Sequence, residues 1–131
     1  MHHLFVYGTL RPGEVRWHHL EPFVVGDGTD TTVGGELYDT GLEYPAAIFR
    51  QSGANACDAA GSALIRGRTY ELALDRLARA LEHLDAVEGA VRGLYRRVVV
   101  HTAEGRAAWA YECGDERLLA RRLETGDWLD R

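Results

Sequence analysis

Lysine is absent from this sequence, so all fifteen basic residues are arginine. Schiff-base catalysis and P-loop phosphate binding both depend on a lysine amine, so neither is open to the chain. Cysteine is scarce: Cys57 and Cys113 stand far apart, with no partner pair at metal-ligand spacing and no secretory segment ahead of them. A reduced, cytoplasmic setting is expected. No apolar run approaches the roughly 20 residues that span a bilayer, so no membrane partner is expected. The net charge of -5 repels polyanions, and no basic stripe interleaves with aromatics, which argues against a nucleic-acid partner. What remains is 131 residues at 46% hydrophobic content, enough for one compact unit over 1–131 that buries a core without metal or disulfide staples.

Short apolar, β-branched or aromatic runs predict strands at His3 to Tyr7, Val33 to Asp39, Tyr44 to Phe49, Ser62 to Leu72, Leu94 to His101 and Arg106 to Cys113. The stretch from Gln51 to Ala60 is polar and small, as exposed loops are. One clear helical period runs from Asp75, a candidate N-cap, to Gly89, a candidate residue just past the last turn. A shorter helix is predicted over Glu116 to Leu123. Many strands around one good helix, without regular strand-helix alternation, predict an α+β domain with a small mixed or antiparallel, barrel-like sheet, one main helix and short flanking helices.

The main helix singles out one carboxylate by geometry. At about 100° per residue, Leu74, Leu77, Leu81 and Leu84 form a stripe, and Glu88 projects onto its middle, while Asp85 lies about 60° to one side. Burial and the last-turn position near the negative end of the helix dipole both disfavour an anion there and push its pKa upward. Such a cost is tolerated for chemistry, or is removed by a neighbouring arginine such as Arg96 or Arg97. A second feature is Tyr7-Gly8-Thr9-Leu10-Arg11-Pro12-Gly13, where a strand runs into a glycine turn. Backbone N–H groups in such a turn can form a nest for a carboxylate, although most strand-Gly passages are only turns.

Other residues carry weaker signals. His2-His3 and His18-His19 are adjacent pairs with no His-x-x-x-His or His-Cys spacing, so they read as surface or packing residues and no metal is expected. Ser52 and Ser62 lack a nucleophile elbow, and Cys57 lacks a histidine partner. Tyr95, Arg97 and His101 share a strand face and are candidate pocket walls; Trp109 and Tyr111 read as core. Trp128 either closes over a pocket or pins the C-terminal segment.

Four blocks together carry a resemblance. Tyr7 to Gly13 resembles the opening signature of the γ-glutamylcyclotransferase superfamily, with its AIG2-like members. Gly35-Glu36-Leu37-Tyr38-Asp39 with Gly41 and Tyr44-Pro45-Ala46 is similar to that family's second block. Leu84-Asp85-Ala86-Val87-Glu88-Gly89 with Leu94-Tyr95-Arg96-Arg97 resembles the block holding its catalytic acid, and Gly126-Asp127-Trp128 its closing motif. Ala90-Val91 departs from the Tyr-Pro type of pair found in relatives. The resemblance implies a cyclotransferase that releases 5-oxoproline from a γ-glutamyl amine, amino acid or isopeptide, with Glu88 as general acid/base. It also implies that Tyr7, Gly8, Thr9 and Leu10 bind substrate and that no cofactor takes part. The alternative is a non-catalytic small-ligand binder on the same fold.

Overall fold

A computed structural model describes residues 1–8, 17–40, 45–49, 63–89, 95–114, 117, 119–123 and 126–128. Seven strands and two helices run in the order β1 (His3–Val6), α1 (Trp17–Leu20), β2 (Val24–Asp39), β3 (Pro45–Phe49), β4 (Leu64–Leu72), α2 (Leu77–Glu88), β5 (Tyr95–His101), β6 (Ala107–Cys113) and β7 (Arg121–Leu123). The sheet path is β3-β2-β4-β1-β6-β5, and β7 also pairs with β2. Pairing is antiparallel except between β1 and β6, where Leu4 faces Trp109 in parallel. Mixed pairing follows from this one parallel insertion of the N-terminal strand.

The sheet curls until its two ends meet. Tyr95 of β5 donates its hydroxyl to the Pro45 carbonyl of β3 at 2.8 Å, and the Phe49 N–H of β3 donates to Glu112 Oε2 of β6 at 2.9 Å. Side chains thus bridge a seam between the ends of the path, which leaves the sheet nearly closed and barrel-like. Alternation then sorts the core. On β1, Leu4 and Val6 pack outward with Leu20, Leu72, Leu84, Tyr95 and Tyr111 under the helices, while Phe5 and Tyr7 face Val33, Leu37, Ile65, Ala110 and Trp128 on the other side. Trp128 is therefore a core residue, 2% exposed.

Three features differ from the sequence reading. The helical period does not start at Asp75: Leu74–Arg76 is a 3₁₀ turn, Leu74 is 69% exposed, and α2 begins at Leu77 behind Arg76, which makes no side-chain cap. A 3₁₀ turn has 3.0 residues per turn, so a stripe counted at 3.6 through Leu74 runs across a change of helix type. The second discrepancy is Arg121–Leu123, which forms β7 against Leu37–Asp39 and no helix. A three-residue strand is fixed by a partner some eighty positions away and leaves no local period. Finally, β2 begins nine residues earlier than Val33, because Val24–Thr32 is mostly exposed, polar and glycine-rich, with a register shift between Val25 and Thr29. The loop predicted at 51–60 and residues 9–13 of the glycine turn lie outside the described residues. Among the described residues, no helix is long and apolar enough to cross a membrane.

Candidate functional site

The end of β1 and the end of α2 converge. Gly89 stops the helix in the left-handed region at φ 76, with its N–H returning to the Ala86 carbonyl at 3.2 Å. Only glycine takes that angle at little cost, so the helix runs through Glu88 and not a residue short of it. Leu77, Leu81 and Leu84 on the same stripe pack into the outer core, whereas Glu88 at its end is half-buried.

Tyr7 and Gly8 follow directly on β1 and are both buried. The Tyr7 hydroxyl donates to the main-chain carbonyl of Tyr111 on β6, and its ring meets Phe49 edge-on at 5.7 Å. Gly8 is required by space and not by an unusual φ: a Cβ there would stand 2.5 Å from Pro45 Cγ and 2.8 Å from its Cδ. The glycine lets the turn lie against the start of β3. Thr9 and Leu10, the other two residues of the predicted loop site, lie outside the described residues, as do Ala90 and Val91.

A chain of polar contacts ties these ends together. Tyr111 donates its hydroxyl to Asp85 Oδ1 on α2 at 2.7 Å, and Asp85 also receives a two-pronged hydrogen bond from Arg97 of β5, Nε at 3.0 Å and Nη2 at 3.2 Å. The Arg97 guanidinium lies 4.6 Å over the Trp109 ring. Asp85 precedes Glu88 by three residues, about one helical turn, so the anchored face is the one that presents Glu88. Arg96 makes a separate pair, with both Nε and Nη2 on Glu112 Oε1 at 3.0 and 2.7 Å. Arg97 and Arg96 thus hold Asp85 and Glu112.

Electrostatics follow from this arrangement. Burial raises the pKa of Tyr7 well above the usual phenol value, helped by the nearby Tyr95 hydroxyl and the Glu88 carboxylate. Burial likewise raises Tyr111, with the hydrogen bond to Asp85 second and the charge of Glu88 also contributing. Both phenols stay protonated across the physiological range and act as hydrogen-bond donors. The Glu88 charge contributes to the shift of both.

Of the predicted wall residues, Tyr95 and Arg97 serve the seam and the Asp85 anchor, and His101 is exposed. Asp85, Tyr111 and Pro45 were not among the predicted site residues. Asp85 carried the faint signal of lying one turn before Glu88; nothing local marks its pairing with Tyr111, 26 positions on.

With this geometry in view, the chain was compared with known proteins. The sequence profile of the family described as gamma-glutamyl cyclotransferase, AIG2-like, matches residues 4–130. A Vibrio cholerae protein provisionally named gamma-glutamylcyclotransferase is 31% identical over 99% of this chain and 97% of its own. One from Halalkalibacterium halodurans, with the same provisional name, is 32% identical over 75% of this chain and 81% of its own. The gamma-L-glutamyl-butirosin B gamma-glutamyl cyclotransferase of Niallia circulans is 27% identical, covering 98% of this chain and 76% of its own. Among solved structures, a mouse AIG2-like protein superposes with a TM-score of 0.69 at 18% identity, over 95% of this chain and 86% of that one. This last likeness concerns the fold.

Proposed function

The chain belongs to the gamma-glutamyl cyclotransferase, AIG2-like family, and from that premise we propose that it cyclises a γ-glutamyl amine to 5-oxoproline with Glu88 as the proton-transfer group. A γ-glutamyl substrate carries its own nucleophile, because the α-amine can reach the γ-carbonyl. Ring closure then needs orientation and proton transfer more than a protein nucleophile.

Each step has a group to serve it. Glu88 takes a proton from the α-ammonium, and the freed amine attacks the γ-carbonyl to form the lactam C–N bond. Backbone N–H groups of the turn at Gly8, Thr9 and Leu10 stabilise the oxyanion or hold the α-carboxylate. Collapse breaks the bond to the departing amine, which receives the proton from Glu88. The second proton of the attacking nitrogen leaves as the ring closes and ends on the departing amine, so the lactam is neutral, the amine departs as its ammonium ion and the carboxylate is regenerated.

The observation that carries this reading is the anchored end of α2: Gly89 ends the helix just past Glu88, Asp85 one turn earlier is held by Arg97 and Tyr111, and the Tyr111 carbonyl accepts from Tyr7, one residue before Gly8. It supports a carboxylate placed at the foot of the loop. Among the other acidic groups, Asp85 is hydrogen-bonded by Arg97 and Tyr111 and Glu112 by Arg96 and the Phe49 N–H, and burial holds both phenols protonated. The name of the Niallia circulans relative specifies gamma-L-glutamyl-butirosin B, so that compound belongs in the test beside γ-glutamyl amino acids. Incubating the purified protein with such a panel should release 5-oxoproline and free amine in equal amounts. Saturable binding of panel members without product would favour the non-catalytic binder instead.

A further inference from the structure

We propose that His2, His3 and Glu71 form a binding site for a divalent transition metal such as Zn2+ or Co2+, at the end of β1 away from Gly8. The residues β1 spans between them put the two sites about 16 Å apart. The site is independent of the cyclotransferase reading.

Local spacing hides it, because two adjacent histidines lack the usual ligand interval and the third ligand comes from another strand. His3 and Glu71 are direct cross-strand partners between β1 and β4, so their side chains share a face. Successive residues of a strand point to opposite faces, yet the rings of His2 and His3 lie 4.6 Å apart at 43°. Both imidazoles nevertheless stand within reach of Glu71, and the Leu72 N–H, donating to the His2 carbonyl at 2.7 Å, extends the β1–β4 pairing to His2.

The resulting spacing suits a metal. His2 Nε2 and Glu71 Oε2 are 3.3 Å apart. With bonds of about 2.0 to 2.1 Å, two ligands on a tetrahedral zinc stand about 3.3 to 3.4 Å from each other. One donor atom from each of the three residues lies within 4.8 Å of the others, so a side-chain rotation closes the set. Two imidazoles and one carboxylate leave a coordination position open, and His2 and His3 border a cleft of about 610 Å³ that Glu104 and Arg106 also line. Arg106 Nη1 lies 3.1 Å from His3 Nε2 and competes with a metal for that nitrogen.

A plain reading of the same contacts is a His2–Glu71 ion pair beside a His3–Arg106 hydrogen bond. Titrating the chelator-treated full chain with Co2+, followed by visible d–d absorption, separates the two. The wild type should take up one equivalent and lose it to Zn2+. His2→Ala, His3→Ala and Glu71→Gln should each weaken binding about tenfold or more, whereas Arg106→Gln, by removing the competing cation, should tighten it. Glu71→Gln is decisive, since it separates a three-ligand site from capture by the imidazoles and nearby main-chain nitrogens. Glu71 is exposed, and thermal unfolding without metal checks that each variant folds. Absence of a Co2+ spectrum in the wild type, or unchanged affinity in folded Glu71→Gln, overturns the proposal.

Discussion

Gly8 and Pro45 meet where the sequence suggested only a ligand loop, and the contact changes what a substitution there should do. A Cβ at position 8 would overlap the ring of Pro45, whose own carbonyl receives the Tyr95 hydroxyl across the seam. Gly8→Ala should therefore lower turnover by shifting the turn, on the order of a hundredfold for a displacement of about 1 Å. Adding Pro45→Gly in the same chain should restore part of that loss by making room. Steady-state kinetics of the single and double variants check this; a double variant no better than Gly8→Ala would place the cause in the loop itself. The glycine was legible in the sequence, but its reason was not, because Pro45 lies 37 positions away and only the curled sheet brings it near. Glu88 was legible through the leucine stripe despite the error at Leu74, since Leu77, Leu81 and Leu84 alone define the same face.

Among the elements, α2 matters most because it carries Glu88, and its last turn is fastened by Asp85. Tyr111→Phe removes one hydrogen bond to a charged group and should cost about 2 kcal/mol of stability. It leaves the Tyr7 contact intact, since that bond goes to the main-chain carbonyl of Tyr111. With the anchor loosened, kcat should fall about tenfold or more at temperatures well below unfolding, since small misplacements of a reacting group are costly. Leu123→Ala, which cuts the inner core away from α2, provides the comparison: similar destabilisation with kcat retained. If both variants lose kcat alike, the anchor is merely structural. Strands β3 to β6 were readable within two residues at each end because half-buried alternation is local. Short β7 and the exposed first half of β2 were not, because their pairing, and not their composition, makes them strands.

At the scale of the whole molecule, the buried phenols tie stability to alkaline pH. Tyr7 and Tyr111 have folded pKa values raised above that of an exposed tyrosine, near 10. As pH climbs through that value, the unfolded chain releases these protons while the native chain keeps them, so the native state binds more protons and stability falls. Below it, their contribution is fully present. Thermal unfolding from about pH 8 to about pH 11 should show this decline, and Tyr7→Phe should flatten it; an unchanged slope would assign the decline to other groups. Glu88 is proposed to work beside a glycine turn, and Glu88→Gln tests that role most directly. The amide keeps nearly the same volume but cannot shuttle a proton. With the best γ-glutamyl amine of the panel, 5-oxoproline release by Glu88→Gln should drop at least about a hundredfold, while the melting temperature at pH 8 holds or rises. A folded Glu88→Gln protein that forms 5-oxoproline at the wild-type rate, or one that is strongly destabilised yet active, would contradict the assignment.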